Sequence, residues 1–156
     1  MLPRELEDLA RYLKVTADGS VPISGFTIDS RKAVAGDLFV AIIANRDGHD
    51  YIKSAAKNGA AAALVSKPTD LIPSICVENT ERALGDLAHS IRATYQGDVF
   101  ALTGSQGKTS TRGFLASILR QMTIRFGYHD ILATEGNLNN HLGVPITMAR
   151  LRPHHP

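Results

Sequence analysis

Residues 99–111 constrain this chain more than any other stretch, because they read as strand, glycine-bearing turn and helix start in immediate succession. Val99-Phe100-Ala101-Leu102 is an apolar run suited to a buried parallel strand. Gly104-Ser105-Gln106-Gly107-Lys108-Thr109-Ser110 follows, and Phe114, Leu115, Ile118 and Leu119 then recur at helical spacing. That order suits the phosphates of a nucleoside triphosphate. Glycines let backbone N–H groups curl toward the oxygens, and the new helix points its positive end at them. Lys108 can neutralise the β- and γ-phosphates, and the Thr109 hydroxyl can complete a Mg²⁺ shell. The spacing G-x-x-G-K-T is two residues shorter between its glycines than the common phosphate loop. The bland alternative is a strand-to-helix turn with a chance Lys-Thr.

Composition narrows the setting. At 156 residues the chain suits one ordinary domain or two small ones. A formal charge of +2, with no Lys/Arg run, argues against a nucleic-acid partner. Cys76 is the only cysteine, so no disulfide framework or cysteine-rich zinc site is expected. Its neighbours Ile75 and Val77 favour a buried, structural thiol. No apolar run approaches membrane-spanning length, and the N-terminus lacks the order of a signal peptide. A cytoplasmic setting without membrane contact is expected.

Taken in order, Leu2, Leu6, Leu9 and Leu13 predict an amphipathic helix ending near Asp18-Gly19. Residues 21–29 read as extended, 35–37 as a turn, and 37–43 as a buried strand. A polar loop, 45–49, precedes a helix over 50–58, where Gly59 can take a left-handed cap. Strands are predicted at 61–65 and 74–77. Thr80 is the predicted cap of a helix through Tyr95, whose Ala83, Leu84, Leu87, Ala88 and Ile91 share a face. Residues 123–130 read as a connection, 131–134 as a short strand, 135–140 as a loop rich in amides, and 144–151 as a helix. The fold class expected is α/β, with mainly parallel sheets. It divides into a small N-terminal α/β substrate domain, 1–79, and the beginning of a phosphate-loop, parallel-sheet ATP-binding domain, 80–156.

Three motifs agree on a family. Residues 101–110 resemble the phosphate loop of the Mur ligases, ATP-dependent amide-bond-forming enzymes of peptidoglycan precursor synthesis. Thr27-Ile28-Asp29-Ser30-Arg31-Lys32, then Gly36-Asp37-Leu38-Phe39-Val40-Ala41 and Asp47-Gly48-His49-Asp50, are similar to that family's UDP-sugar-binding domain. Gly136-Asn137-Leu138-Asn139-Asn140-His141-Leu142-Gly143-Val144-Pro145 resembles the MurF type, which adds D-Ala-D-Ala to UDP-MurNAc-tripeptide. The MurE type shares the first two motifs and differs in the third.

The resemblance implies that ATP phosphorylates the substrate's carboxylate and that the amine of D-Ala-D-Ala then attacks the acyl phosphate. It makes Lys108 and Thr109 the catalytic pair, with Thr109 on Mg²⁺. Gly104, Ser105, Gln106, Gly107, Lys108, Thr109 and Ser110 would bind ATP, with Asn137 and Asn140 lining the cleft near the phosphates. Ser30, Arg31, Asn45, Arg46 and His49 would face the UDP-sugar. Arginine suits a diphosphate through its planar donor fork. The plainer alternatives are surface charges for Arg31 and Arg46, and a local turn role for His49. The loop 44–48 lacks the family's aromatic between the Arg and the Asp, and 122–130 is longer than usual. The resemblance further implies a monomer, and a chain that forms the N-terminal third of a ligase and is inactive alone. The competing reading is a non-catalytic module that holds nucleotide or UDP-sugar.

Overall fold

Two apolar runs, β5 (Asp37–Val40) and β6 (Ala62–Val65), are buried at every position, as expected of strands covered on both faces. The computed structural model describes residues 4–127, 131–134, 136, 140–151 and 155. β5 pairs in parallel with β4 (Gly25–Thr27) on one side and β6 on the other, and β6 pairs in parallel with β7 (Ser74–Cys76). Leu38 sits between Phe26 and Ala62, and Leu64 lies beside Ile75. A short antiparallel strand, β2 (Ala17–Asp18), closes the β7 edge, giving the order β2-β7-β6-β5-β4. β1 (Arg4–Glu5) and β3 (Pro22–Ile23) form a separate antiparallel pair.

Strand alternation then sorts the core into two layers. Leu38, Val40 and Leu64 face one side of the sheet, where they pack with Leu6 and Leu9 of α1 (Leu6–Tyr12) and with Leu84, Leu87 and Ile91 of α3 (Thr80–Thr94). Phe39, Ala41, Ala63 and Val65 face the other side, against Ile52 and Ala55 of α2 (Ile52–Lys57). The α/β class expected from the sequence is borne out. Ile146 and Ala149 of α5 (Gly143–Ala149) join the first layer by packing on α3. Arg4 donates to the carbonyls of Ala149 and Leu151, at 3.4 and 3.0 Å, and so tethers the C-terminal end of α5 to the N-terminal strand.

Several local expectations need correction. α1 stops at Tyr12, and residues 17–18 are a strand, because β7 offers them Ile75 and Ser74 as partners from a distant part of the sequence. The cap of α3 is Asn79, whose Oδ1 accepts from the Arg82 amide at 2.9 Å. Thr80 is instead the first helical residue, and its buried hydroxyl donates to the Ala41 carbonyl at 2.8 Å. Cys76 ends β7 and is exposed, whereas its neighbour Ile75 is fully buried. α4 (Lys108–Phe126) takes in the first four residues of the segment read as a connection; the Thr123 hydroxyl there bonds the Arg120 carbonyl inside the helix. Neither 99–103 nor 131–134 is a strand. Among the described residues no strand lies beside either run to take its backbone hydrogen bonds, and Phe100 and Leu102 are exposed.

The Thr80 hydroxyl joins the start of α3 to the end of β5. Thr80→Val keeps the shape and removes that bond, so urea unfolding should show a loss of about 1–2 kcal/mol. No change would mean that the bond adds nothing to the junction.

Candidate functional site

Gly104 and Gly107 hold positive φ angles of 145° and 77°, which glycine alone adopts without strain. The second turns the chain directly into α4, of which Lys108 is the first residue. The first bond across this helix start runs from the Thr111 amide to the Gly107 carbonyl at 2.9 Å. The amides of 108–110 therefore precede the ladder and point out of the helix end, the arrangement that receives anions. Residues 104–107 are exposed, as are Thr109 and Ser110. Lys108 Nζ folds back onto the Gly104 carbonyl, across the mouth of its own loop.

One turn further along α4, Arg112 donates to the Gly136 carbonyl at 2.8 Å and so reaches the amide-rich loop. Sequence reasoning missed this residue, although its i,i+4 spacing from Lys108 puts both cations on one helix face. Asn137 lies outside the described residues. Asn140 Oδ1 accepts from the amides of Leu142 and Gly143, at 3.2 and 2.8 Å, where the chain enters α5. Behind the phosphate loop, a cleft of about 380 Å³ runs between α4 and the segments 98–102 and 131–134. Leu102, Leu115, Leu119 and Leu132 line it, and none of residues 103–110 does.

The second group of candidates clusters at the C-terminal ends of β4, β5 and β6. Ser30 is buried in a 3₁₀ turn, and its carbonyl accepts from Asn58 Nδ2 at 2.8 Å. Asp29 accepts from the Arg31 amide, and forms a two-pronged pair with the guanidinium at 2.9 and 2.8 Å. Arg31 is otherwise exposed, with its fork already ordered. Asn45 and Arg46 are exposed at the tip of the 43–47 loop, where Arg46 bonds the Tyr51 hydroxyl at 3.3 Å. His49 is different, since both of its ring nitrogens are engaged within the protein.

Electrostatics follow from these pairs. The Arg31 side chain holds the Asp29 carboxyl down at about 2. Lys67, followed by the His49 amide, holds Asp47 below the usual carboxylate range. A depressed carboxyl contributes stability above its unfolded value, near 4, which is lost as pH falls through the folded value. The Asp29–Arg31 fork should therefore persist at pH 4 and open toward pH 2, with an NMR titration of the Asp29 carboxyl centred near about 2. A midpoint near 4 would show that the fork does not form in solution. Burial pushes the Asp37 carboxyl up against a hydrogen bond from the Val34 amide. Asp37 therefore opposes this trend by binding its proton more readily in the folded state.

Among the described residues no group of three or more His, Cys, Asp or Glu side chains could hold a metal ion. The hydroxyl of Thr109 at the helix start remains as a single neutral ligand, which fits a Mg²⁺ whose other ligands are phosphate oxygens and water. The exposed amides of 108–110 fit the phosphates themselves.

A glycine loop that opens a helix, in a chain whose parallel-containing sheet is layered between helices, defines an α/β protein with an anion-receptive helix start. The chain belongs to the Mur ligase family: its residues 22–92 match the Mur ligase catalytic domain and residues 102–155 the Mur ligase middle domain. It is 40% identical over 156 residues to the UDP-N-acetylmuramoyl-tripeptide–D-alanyl-D-alanine ligase of Escherichia coli K12, covering 98% of this chain and 33% of that one. MurF from Acinetobacter baumannii superposes with a TM-score of 0.78 at 34% identity, over 98% of this chain and 34% of that one. MurF ligase from Thermotoga maritima, solved in complex with ADP, gives a TM-score of 0.60 at 32% identity, over 80% and 28%. The chain spans about a third of the length of the curated relatives it matches.

Proposed function

We propose that this chain carries the UDP-sugar-binding and phosphate-binding parts of an ATP-dependent ligase that joins D-Ala-D-Ala to UDP-MurNAc-tripeptide. The observation that carries the reading is the start of α4, where a glycine at φ 77° delivers Lys108, Thr109 and three outward amides to one exposed point. Support for the choice of substrate comes from relatives whose names specify that reaction. Bound ATP would supply the phosphoryl group that activates the tripeptide carboxylate, with Mg²⁺ spreading its charge. Gly104, Ser105, Gln106, Gly107 and Ser110 would hold the phosphate chain through backbone and hydroxyl donors. Lys108 would swing from the Gly104 carbonyl onto the transferred phosphate, and Thr109 would hold the metal. Asn137 and Asn140 would border this site from the amide-rich loop, whose Gly136 carbonyl Arg112 already grips.

In this reading residues 1–79 form the UDP-sugar unit, and residues 80–156 open the ATP-binding unit. α3 is then the junction, since its apolar face packs on the first unit's sheet. Ser30, Arg31, Asn45, Arg46 and His49 serve the UDP-sugar, with the Arg31 guanidinium, held by Asp29 through Nε and Nη2, offering its remaining N–H groups to the diphosphate. The protein works as a cytoplasmic monomer on small molecules and needs neither nucleic acid nor membrane; among the described residues no helix is long and apolar enough to cross one.

Calorimetry with UDP-N-acetylmuramoyl-tripeptide tests the assignment. Arg31→Ala should weaken binding by about 1–3 kcal/mol, the range for a charge-assisted bond. Unchanged affinity would assign Arg31 to the surface and remove it from the site.

A further inference from the structure

The loop carrying Asn45 and Arg46 is pinned from both sides through one imidazole. His49 is 10% exposed at its side chain. Its Nδ1 lies 2.5 Å from Asp47 Oδ1, which also accepts from the His49 amide at 3.0 Å. On the opposite edge of the ring, Nε2 receives the Ser66 amide at 2.9 Å, just beyond the end of β6. The Ser66 hydroxyl is a looser neighbour at 3.4 Å. The second oxygen of Asp47 accepts from Lys67 Nζ at 2.7 Å. A backbone N–H can only donate, so Nε2 must keep its lone pair and the ring proton must sit on Nδ1. His49 is therefore neutral in this arrangement, and Asp47 selects its tautomer.

We propose that His49 is a positioning residue for the UDP-sugar loop: as the neutral Nδ1–H tautomer it bridges Asp47 to the Ser66 amide, fixes Asn45 and Arg46 over the sheet edge, and releases them when protonated at Nε2. This rests on the reading of the first unit as the UDP-sugar site, and replaces direct contact by His49 with control of its neighbours. The charged groups that meet the bridge are Asp47 in the loop, Lys67 after β6, and Asp50, which acts on Lys67. Protonation gains attraction from Asp47 but removes the acceptor that holds the Ser66 amide and sets two donors, Nε2–H and the Ser66 N–H, against each other.

The two roles for His49 predict opposite signs of pH dependence. A histidine touching the diphosphate becomes a cation on acidification and tightens binding, whereas a bridge loosens it. The ligand's diphosphate is esterified at both ends and keeps constant charge over this range. Two measurements decide. In ¹⁵N NMR of the histidine ring, Nδ1 should carry the proton and Nε2 should not. In calorimetry with UDP-N-acetylmuramoyl-tripeptide, affinity should fall as pH is lowered from about 8 to 5. His49→Gln, which restores an acceptor for the Ser66 amide but cannot titrate, should show a flat profile over the same pH range, and a profile that still falls on acidification would overturn the proposal. His49→Ala should lose about tenfold at every pH. A proton on Nε2 at neutral pH, or affinity rising on acidification, overturns the proposal. If the wild-type chain binds no UDP ligand at any pH, the reading of the first unit fails, while the tautomer still decides the bridge.

Discussion

Gly48→Ala is expected to cost about 3 kcal/mol in urea unfolding, the upper part of the range for overpacking a tight site. A β-carbon built at this position would stand 2.7 Å from both the Ile42 nitrogen and the Ile42 oxygen, and 2.9 Å from the Ala41 carbonyl carbon. All three are backbone atoms and cannot rotate away. The closeness has a purpose in the fold, because the Gly48 amide donates to the Ile42 carbonyl at 2.9 Å and closes the loop that Ile43 and Asp47 bridge. An added methyl must break this closure or push β5 out of register with its neighbours. With total stabilities of about 5–15 kcal/mol for proteins of this kind, such a loss is a large fraction. Gly85→Ala is the control: it lies within α3 with nothing inside 4 Å of its built β-carbon, and should stabilise by about 0.5–1 kcal/mol. Equal effects at the two positions would show that the 41–48 loop is not packed as described.

Much of the core was legible because its signals are local. The apolar runs around Phe39 and Leu64 identify central strands, and the spacing of Leu84, Leu87 and Ile91 identifies the buried face of α3. What escaped depends on partners distant in sequence. Ala17 becomes a strand because Ile75 lies beside it, and no pattern within residues 13–19 records that. Residues 99–103 have the composition of a buried strand, but composition cannot supply neighbouring strands. Cys76 was misjudged because apolar neighbours in sequence do not decide which end of a strand leaves the sheet.

The site divides the same way. Gly104, Gly107 and Lys108 carry their own geometry, so loop and helix start could be placed from spacing alone. The grip of Arg112 on the Gly136 carbonyl spans 24 residues, and that of His49 on the Ser66 amide spans 17. Neither leaves a periodic trace. The hydroxyl and amide side chains show a further limit. Asn140 reads as a polar residue near a ligand, and its Oδ1 also serves the start of α5, a local bond that its place in an amide-rich loop does not announce.

Lys108→Ala should weaken binding of ATP with Mg²⁺ by about 10- to 100-fold, the equivalent of about 1.5–3 kcal/mol for a lost bond to a charged group. The substitution isolates charge from fold. Lys108 begins α4 and its ammonium rests on the Gly104 carbonyl, while alanine is the best helix former. The glycine geometry and the amides of 108–110 stay in place, so binding should be reduced rather than abolished, and the far-ultraviolet circular dichroism should not change. Salt separates the two remaining contributions. A lysine on an exposed phosphate loop acts through a screened charge, so added salt should weaken wild-type binding more than that of the variant. Lys108→Arg keeps the charge but presents a planar fork where the loop mouth suits a compact ammonium, and should recover only part of the affinity. If Lys108→Ala binds ATP as tightly as wild type in calorimetry, with the same salt dependence, then Gly104 to Thr109 is a strand-to-helix turn that happens to contain a lysine, and nucleotide binding must be sought elsewhere on the protein.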